Sequence, residues 1–174
     1  MKVKFYLQSA LLAGLVIFAW GAFVHMAIPF WEDVMHELPN EQVVVDAIKS
    51  TGAPNGIYYG MQGMLLVLFL GHGMTSATDG MGTYMALEFI SDVLVAFVLA
   101  WMLLRTNVRG VLNRGLYAAV LGVLGWLSIN VSSWIWYHFP FAYILLEAVD
   151  NVIGIFFAGL VISWLMNKQR TVAV

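Results

Sequence analysis

The 174-residue chain contains no cysteine, which excludes disulfide bridges, thiolate metal sites and cysteine nucleophiles. Charge is scarce too. Asp, Glu, Lys and Arg make up 10% of the residues, against about a quarter in a soluble domain. So few charges cannot cover a water-facing surface, and 61% hydrophobic residues would leave large apolar patches exposed to water. The net charge of −2 offers no footprint for nucleic acid. No Walker loop, Rossmann glycine pattern, Ser-His-Asp set or zincin motif is present, so nothing in the chain spells out an enzyme. These absences, with a mean hydropathy of +0.84, leave one membrane domain with the lipid bilayer as its solvent.

A membrane-crossing helix needs roughly 20 mostly apolar residues. Four stretches meet that length: 5–30, 84–104, 115–137 and 141–166. The first is longer than the apolar run of a signal peptide, about 7–15 residues, and no small-residue cleavage site precedes Pro29. It therefore reads as a retained helix. Lys2, Lys4, Arg105, Arg109, Arg114, Lys168 and Arg170 all fall on one side of this pattern, leaving only Lys49 on the other. The positive-inside rule makes the basic side cytoplasmic and places both termini there, in a bacterial-type inner membrane. The expected fold is an all-α membrane protein with four transmembrane helices.

Residues 31–83 then fall outside the cytoplasm as a small cap between the first and second helices. Pro39-Asn40 followed by EQVVVDAIKS predicts a short helix over about 40–51, with Asn40 as N-cap and Gly52 in the left-handed stop conformation. The apolar run 57–72 rivals the spans, but a fifth crossing would put the arginine loop outside. Glycines at 60, 63, 71 and 73 also break it, so a hairpin or re-entrant element over about 57–73 is expected.

Spans two and four echo each other. Aligning Tyr84 with Tyr143 matches Leu87 with Leu146, Glu88 with Glu147, Val93 with Val152 and Phe97 with Phe156. Spans one and three do so more loosely, through Trp20, His25 and Pro29-Phe30 against Trp126, His138 and Pro140-Phe141. Two repeated helix hairpins are one reading and chance matching in apolar sequence is the other. The small-residue patterns Ala10-x-x-x-Gly14, Ala118-x-x-x-Gly122 and Gly154-x-x-x-Ala158 provide close-packing faces, inside the chain or against a partner.

Trp20-Gly21 with Met26-x-x-Pro29, Leu38-Pro39-Asn40-Glu41 and Gly56-Ile57-Tyr58 resemble motifs of a group of small bacterial four-helix inner-membrane proteins of unknown function. Asp92-Val93-Leu94, Trp136-Tyr137-x-Phe139-Pro140 and the run 150–161 (DNVIGIFFAGLV) carry the same likeness through the second half. The resemblance implies four helices and an outer loop after the first. It implies no activity. The Met- and Leu-rich run from Met61 to Met74 departs from the pattern.

Chemistry concentrates in the outer half of the spans. Glu88 and Asp92 are four residues apart on span two, and Glu147 and Asp150 three apart on span four, so each pair faces one side of its helix. His25, His138 and Asn130 fall toward the same side, and no Lys or Arg accompanies the acids within the spans. Charges in a bilayer are costly and suggest function, although interhelical hydrogen bonding near the interface is the plainer account. Met61, Met64 and Met74 with His72 offer thioether and imidazole ligands for copper, and His25 with His138 offers a pair for haem b. Against these stand lipid-facing methionine and interfacial histidine.

Two functions follow. The first is a non-catalytic accessory, assembly or stabilising subunit of a larger membrane complex, partnered by another membrane protein or by its own copies. The second is ion, proton or small-molecule handling through the carboxylate–histidine cluster.

Overall fold

In a computed structural model of the chain, residues 2–29, 34, 38–60, 65–69 and 80–172 are described. The elements are α1 (Lys2–Ala27), α2 (Glu41–Ser50), β1 (Gly56–Gly60), β2 (Leu65–Phe69), α3 (Met81–Leu103), α4 (Val111–Tyr137) and α5 (Phe141–Val172). Helix accounts for 79% of the described residues, so the two short strands leave the class all-helical. Four helices, α1, α3, α4 and α5, are long and apolar enough to cross a membrane, which makes this a multi-pass membrane protein. In lipid the backbone must satisfy its own polar groups, and a helix does so within one segment.

The chain divides into two compact units, residues 1–34 with 86–174, and residues 35–85. In the smaller unit, α2 ends at Thr51 and Gly52, whose N–H groups return to Ile48 and Lys49 carbonyls at 3.0 Å. Gly52 takes the left-handed conformation expected of it, with φ 73°. Asn40 occupies the N-cap position but differs from the expectation. Its own backbone is left-handed (φ 57°) and its side chain caps nothing. The apolar run after Gly56 forms no helix in its described residues. It pairs as an antiparallel hairpin with Tyr58 opposite Val67 and Gly56 opposite Phe69. Tyr58 anchors the entry by donating its hydroxyl proton to the Pro54 carbonyl.

In the larger unit, small residues let helix backbones approach. In lipid no hydrophobic force draws helices together, so close van der Waals contact must hold them. On α1, Gly14 lies against the Val93 backbone of α3, where an added Cβ would sit 2.8 Å from the Val93 Cα. On α4, Gly122 lies under Val152 of α5 with the corresponding distance at 3.1 Å. Gly159 of α5 faces Ala118 and the Gly115 Cα. The third small residue pattern serves α1, since Gly154 receives the Trp20 ring. All three patterns are thus used inside the chain, and α5 packs against both α1 and α4.

The apolar core lies toward the end that carries Lys4, the arginine loop and Lys168, hereafter the basic end. It joins Phe5 and Ala13 of α1, Ala96, Leu99 and Leu103 of α3, Ala118 of α4, and Ala158, Ile162 and Met166 of α5. The opposite half buries far less: of its large apolar side chains, Val24 and Ile144 are the fully enclosed ones. The α4–α5 corner at the far end is set by His138, left-handed at φ 54°, and by Pro140, which cannot continue a helix.

Candidate functional site

On α3 the core-facing stripe changes character along its length. Leu103, Leu99 and Ala96 are apolar, and the next positions on the same face are Asp92 and Glu88. On α5, Leu165, Ile162 and Ala158 lead in the same way to Asp150 and Glu147. The interior is therefore sealed toward the basic end and acidic toward the far end. Asp92 lies eleven residues into α3, roughly 16 Å along the axis from its first residue.

The acids come together across the helices. Asp150 is within electrostatic reach of Glu88, Glu147 and Asp92, and Asp92 of Glu88. His25 joins from α1: its Nδ1 is 3.9 Å from the Asp150 carboxylate and 2.9 Å from the Gly21 carbonyl. Gly21 lies beside the same carboxylate, a Cβ there falling at an ordinary contact distance of 3.6 Å from Asp150 Oδ1. Asn130 joins from α4, its Nδ2 donating to Glu147 Oε2 at 3.2 Å. Tyr143 also hydrogen-bonds Glu147. Two indoles hold α5 beside this group from either side: Trp20 Nε1 donates to the Val149 carbonyl at 3.4 Å, and Trp126 Nε1 to the Ile144 carbonyl at 2.7 Å.

Six of the sequence-derived residues thus form one group: Glu88, Asp92, Glu147, Asp150, His25 and Asn130. His138 does not join it. Its side chain is exposed at the α4 corner, and among the described residues the His–carboxylate pair is His25 with Asp150. The acids differ in access. Glu88 is exposed and Asp150 is partly buried, while Asp92 is 8% exposed and takes part in no hydrogen bond among the described residues. Coordination of a metal by three or more His, Asp or Glu side chains is not found among the described residues. His72, Met61, Met64 and Met74 lie outside the described residues.

The third span expected over 115–137 leaves Arg114 in the preceding loop, but α4 begins at Val111, and the Arg114 guanidinium is carried inside, 2% exposed. Nε donates to the Val108 carbonyl at 2.9 Å and Nη1 to Ser163 Oγ at 3.3 Å and Asn167 Oδ1 at 3.5 Å. It ties the loop and α4 to α5. Ser9 and Ser163 are also fully enclosed, and Ser9 Oγ has no hydrogen-bond partner among the described residues. The signals were available: Arg114 precedes the small-residue face of α4 by one turn, and Ser9 lies four residues from both Phe5 and Ala13.

No family model, no curated protein and no solved structure matches the chain. Its function must be argued from the site.

Proposed function

We propose that this protein takes up positive charge, a proton or a small cation, at the carboxylate group formed by Glu88, Asp92, Glu147 and Asp150. One observation carries the reading. Asp92 is enclosed within a span without a hydrogen-bond partner among the described residues and is within electrostatic reach of two further carboxylates, Glu88 and Asp150, with no Lys or Arg of the described spans beside them. An isolated ionised carboxylate in such surroundings costs several kcal/mol. An enclosed Asp92 among three further acids calls for protons, a bound cation or water. Among the described residues no three His, Asp or Glu side chains stand together as a ready metal chelate, and the reading is of protons or a monovalent or organic cation.

By the positive-inside rule the basic end is cytoplasmic, so the acids open to the outer face with both termini inside and residues 31–83 outside as a cap. The equivalent placement of Val93 over Gly14 and Val152 over Gly122 supports two repeated hairpins. Each glycine ends an Ala-x-x-x-Gly pattern, and each valine follows a Glu-x-x-polar-polar run, Glu88 to Asp92 or Glu147 to Asn151. The site is then the polar seam where the two copies meet.

The test is infrared spectroscopy of the carboxyl bands in gentle detergent, as pH and alkali or ammonium concentrations are varied. Uptake predicts band changes that vanish when Glu88→Gln, Asp92→Asn, Glu147→Gln and Asp150→Asn are combined. Identical behaviour of wild type and variant overturns it.

A second reading, an accessory or assembly subunit, is favoured by one observation. Gly125, Ser128 and Ser132 line an exposed face of α4 that nothing covers among the described residues. No atom lies within 4 Å of a Cβ added at Gly125, and both serine hydroxyls donate only to carbonyls of their own helix. Such faces receive other helices in membranes. Recovery of a monomer alone after gentle purification counts against it.

A further inference from the structure

Two polar side chains on the interior stripes lack a hydrogen-bond partner among the described residues, Asp92 and Ser9. An orphaned buried hydroxyl is rare in native structures and calls for an explanation, an ordered water being a common one. Ser9 sits between Phe5 and Ala13 on α1, within the apolar seal that closes the acidic half from the basic end. Its position relative to Asp92 follows from the helix crossing. Val93 meets Gly14, so Asp92 is level with that turn of α1, and Ser9 is five residues nearer the basic end. At 1.5 Å per residue the axial offset is roughly 8 Å, before any lateral separation between the helices. Water must complete the connection, each O–H···O step adding about 2.8 Å.

We infer that Ser9 is the stepping point by which protons cross the seal between the carboxylate group and the basic face. This rests on the reading of the acids as a site for positive charge, and it names the proton as the species that passes. Ala13, Ala96, Leu99 and Ile162 are each at most 4% exposed and leave no polar lining for a hydrated ion. A proton needs only a transient file of water. Asp92 gives its proton to the first water, and each oxygen releases one proton as it receives another. Ser9 accepts at Oγ and passes its own hydroxyl proton toward the basic end, so it finishes as it began. Asp92 is then reprotonated from the outer group, where Glu88 and Asp150 are within its electrostatic reach and Glu147 and His25 stand beside Asp150. Below Ser9, Tyr6 and Tyr117 pack against the seal and Arg114 lies at its base.

The experiment uses the full chain in liposomes that enclose a pH-sensitive dye, with a potassium diffusion potential imposed through valinomycin. Wild type acidifies or alkalinises the lumen according to the sign of the potential, well above empty liposomes. Ser9→Ala removes only an unpartnered hydroxyl, so it folds. It lowers the proton flux at least tenfold while the infrared carboxyl response stays as in wild type, and Asp92→Asn lowers both. Unchanged flux in Ser9→Ala overturns the stepping point. Flux no greater than in empty liposomes overturns proton passage altogether, yet a retained infrared response would leave the carboxylate site standing. Loss of that response in wild type sinks both.

Discussion

Gly14 and Val93 meet backbone to backbone: a Cβ added to the glycine would lie 2.8 Å from the valine Cα, closer than such contacts occur. The obstacle is main chain, which cannot swing aside like the end of a side chain. Gly14→Leu should therefore force α1 and α3 apart at a cost of about 1–3 kcal/mol. Gly125→Ala is the matched control, because nothing lies near that position. Thermal unfolding in detergent should show a lowered midpoint for Gly14→Leu and none for Gly125→Ala.

Arg114 is enclosed at the basic end with a carbonyl, a hydroxyl and an amide oxygen as acceptors. Removing the guanidinium strands these groups, and bonds from a charged donor are worth about 1.5–3 kcal/mol each in net terms. Arg114→Ala should lose at least about 3 kcal/mol. Arg114→Lys should fall between the two, since a single ammonium cannot reach both Val108 and the α5 pair. Denaturant titration of the three proteins in one detergent orders them.

Four membrane-length helices were legible because long apolar runs are a direct consequence of lipid as solvent, while their ends differ from the helix bounds by up to six residues. The acid group was legible as residues, since Glu88/Asp92 and Glu147/Asp150 fall on single helix faces. Its composition was not. Which side chains cross from other helices depends on tertiary rotation, so His25 and Asn130 joined while His138 did not. Arg114 was misplaced because hydropathy puts a charge outside a span, whereas a buried hydrogen-bond set keeps this one within a helix. The hairpin of β1 and β2 was open between two forms, as glycine breaks fit both a re-entrant turn and paired strands.

Ser9 and Asp92 make an opposite stability prediction. Each carries a desolvation cost with no partner to offset it, about 1–3 kcal/mol for a neutral group. Ser9→Ala and Asp92→Asn should both match or exceed wild type in thermal midpoint. A fall of several degrees in either would mean that the group has a partner essential to folding.

Asn130 donates to Glu147 at 3.2 Å. Asn130→Asp would put a fifth acid beside that carboxylate, replacing a donor with a like charge. It should destabilise the protein more than Asn130→Ala at neutral pH, and the difference should shrink on acidification as the new pair shares a proton. Unfolding midpoints of both variants at two pH values measure this directly.

Entry to the acid group from the face opposite the basic end is directly testable, because the chain has no cysteine of its own. Single substitutions Glu88→Cys, Asp150→Cys, Leu99→Cys and Ile162→Cys are exposed to a membrane-impermeant thiol reagent in sealed vesicles of known orientation. The account predicts labelling of the first two from the outer side, and no labelling of the last two from either side. Labelling of Glu88→Cys and Asp150→Cys from the cytoplasmic side alone would contradict it.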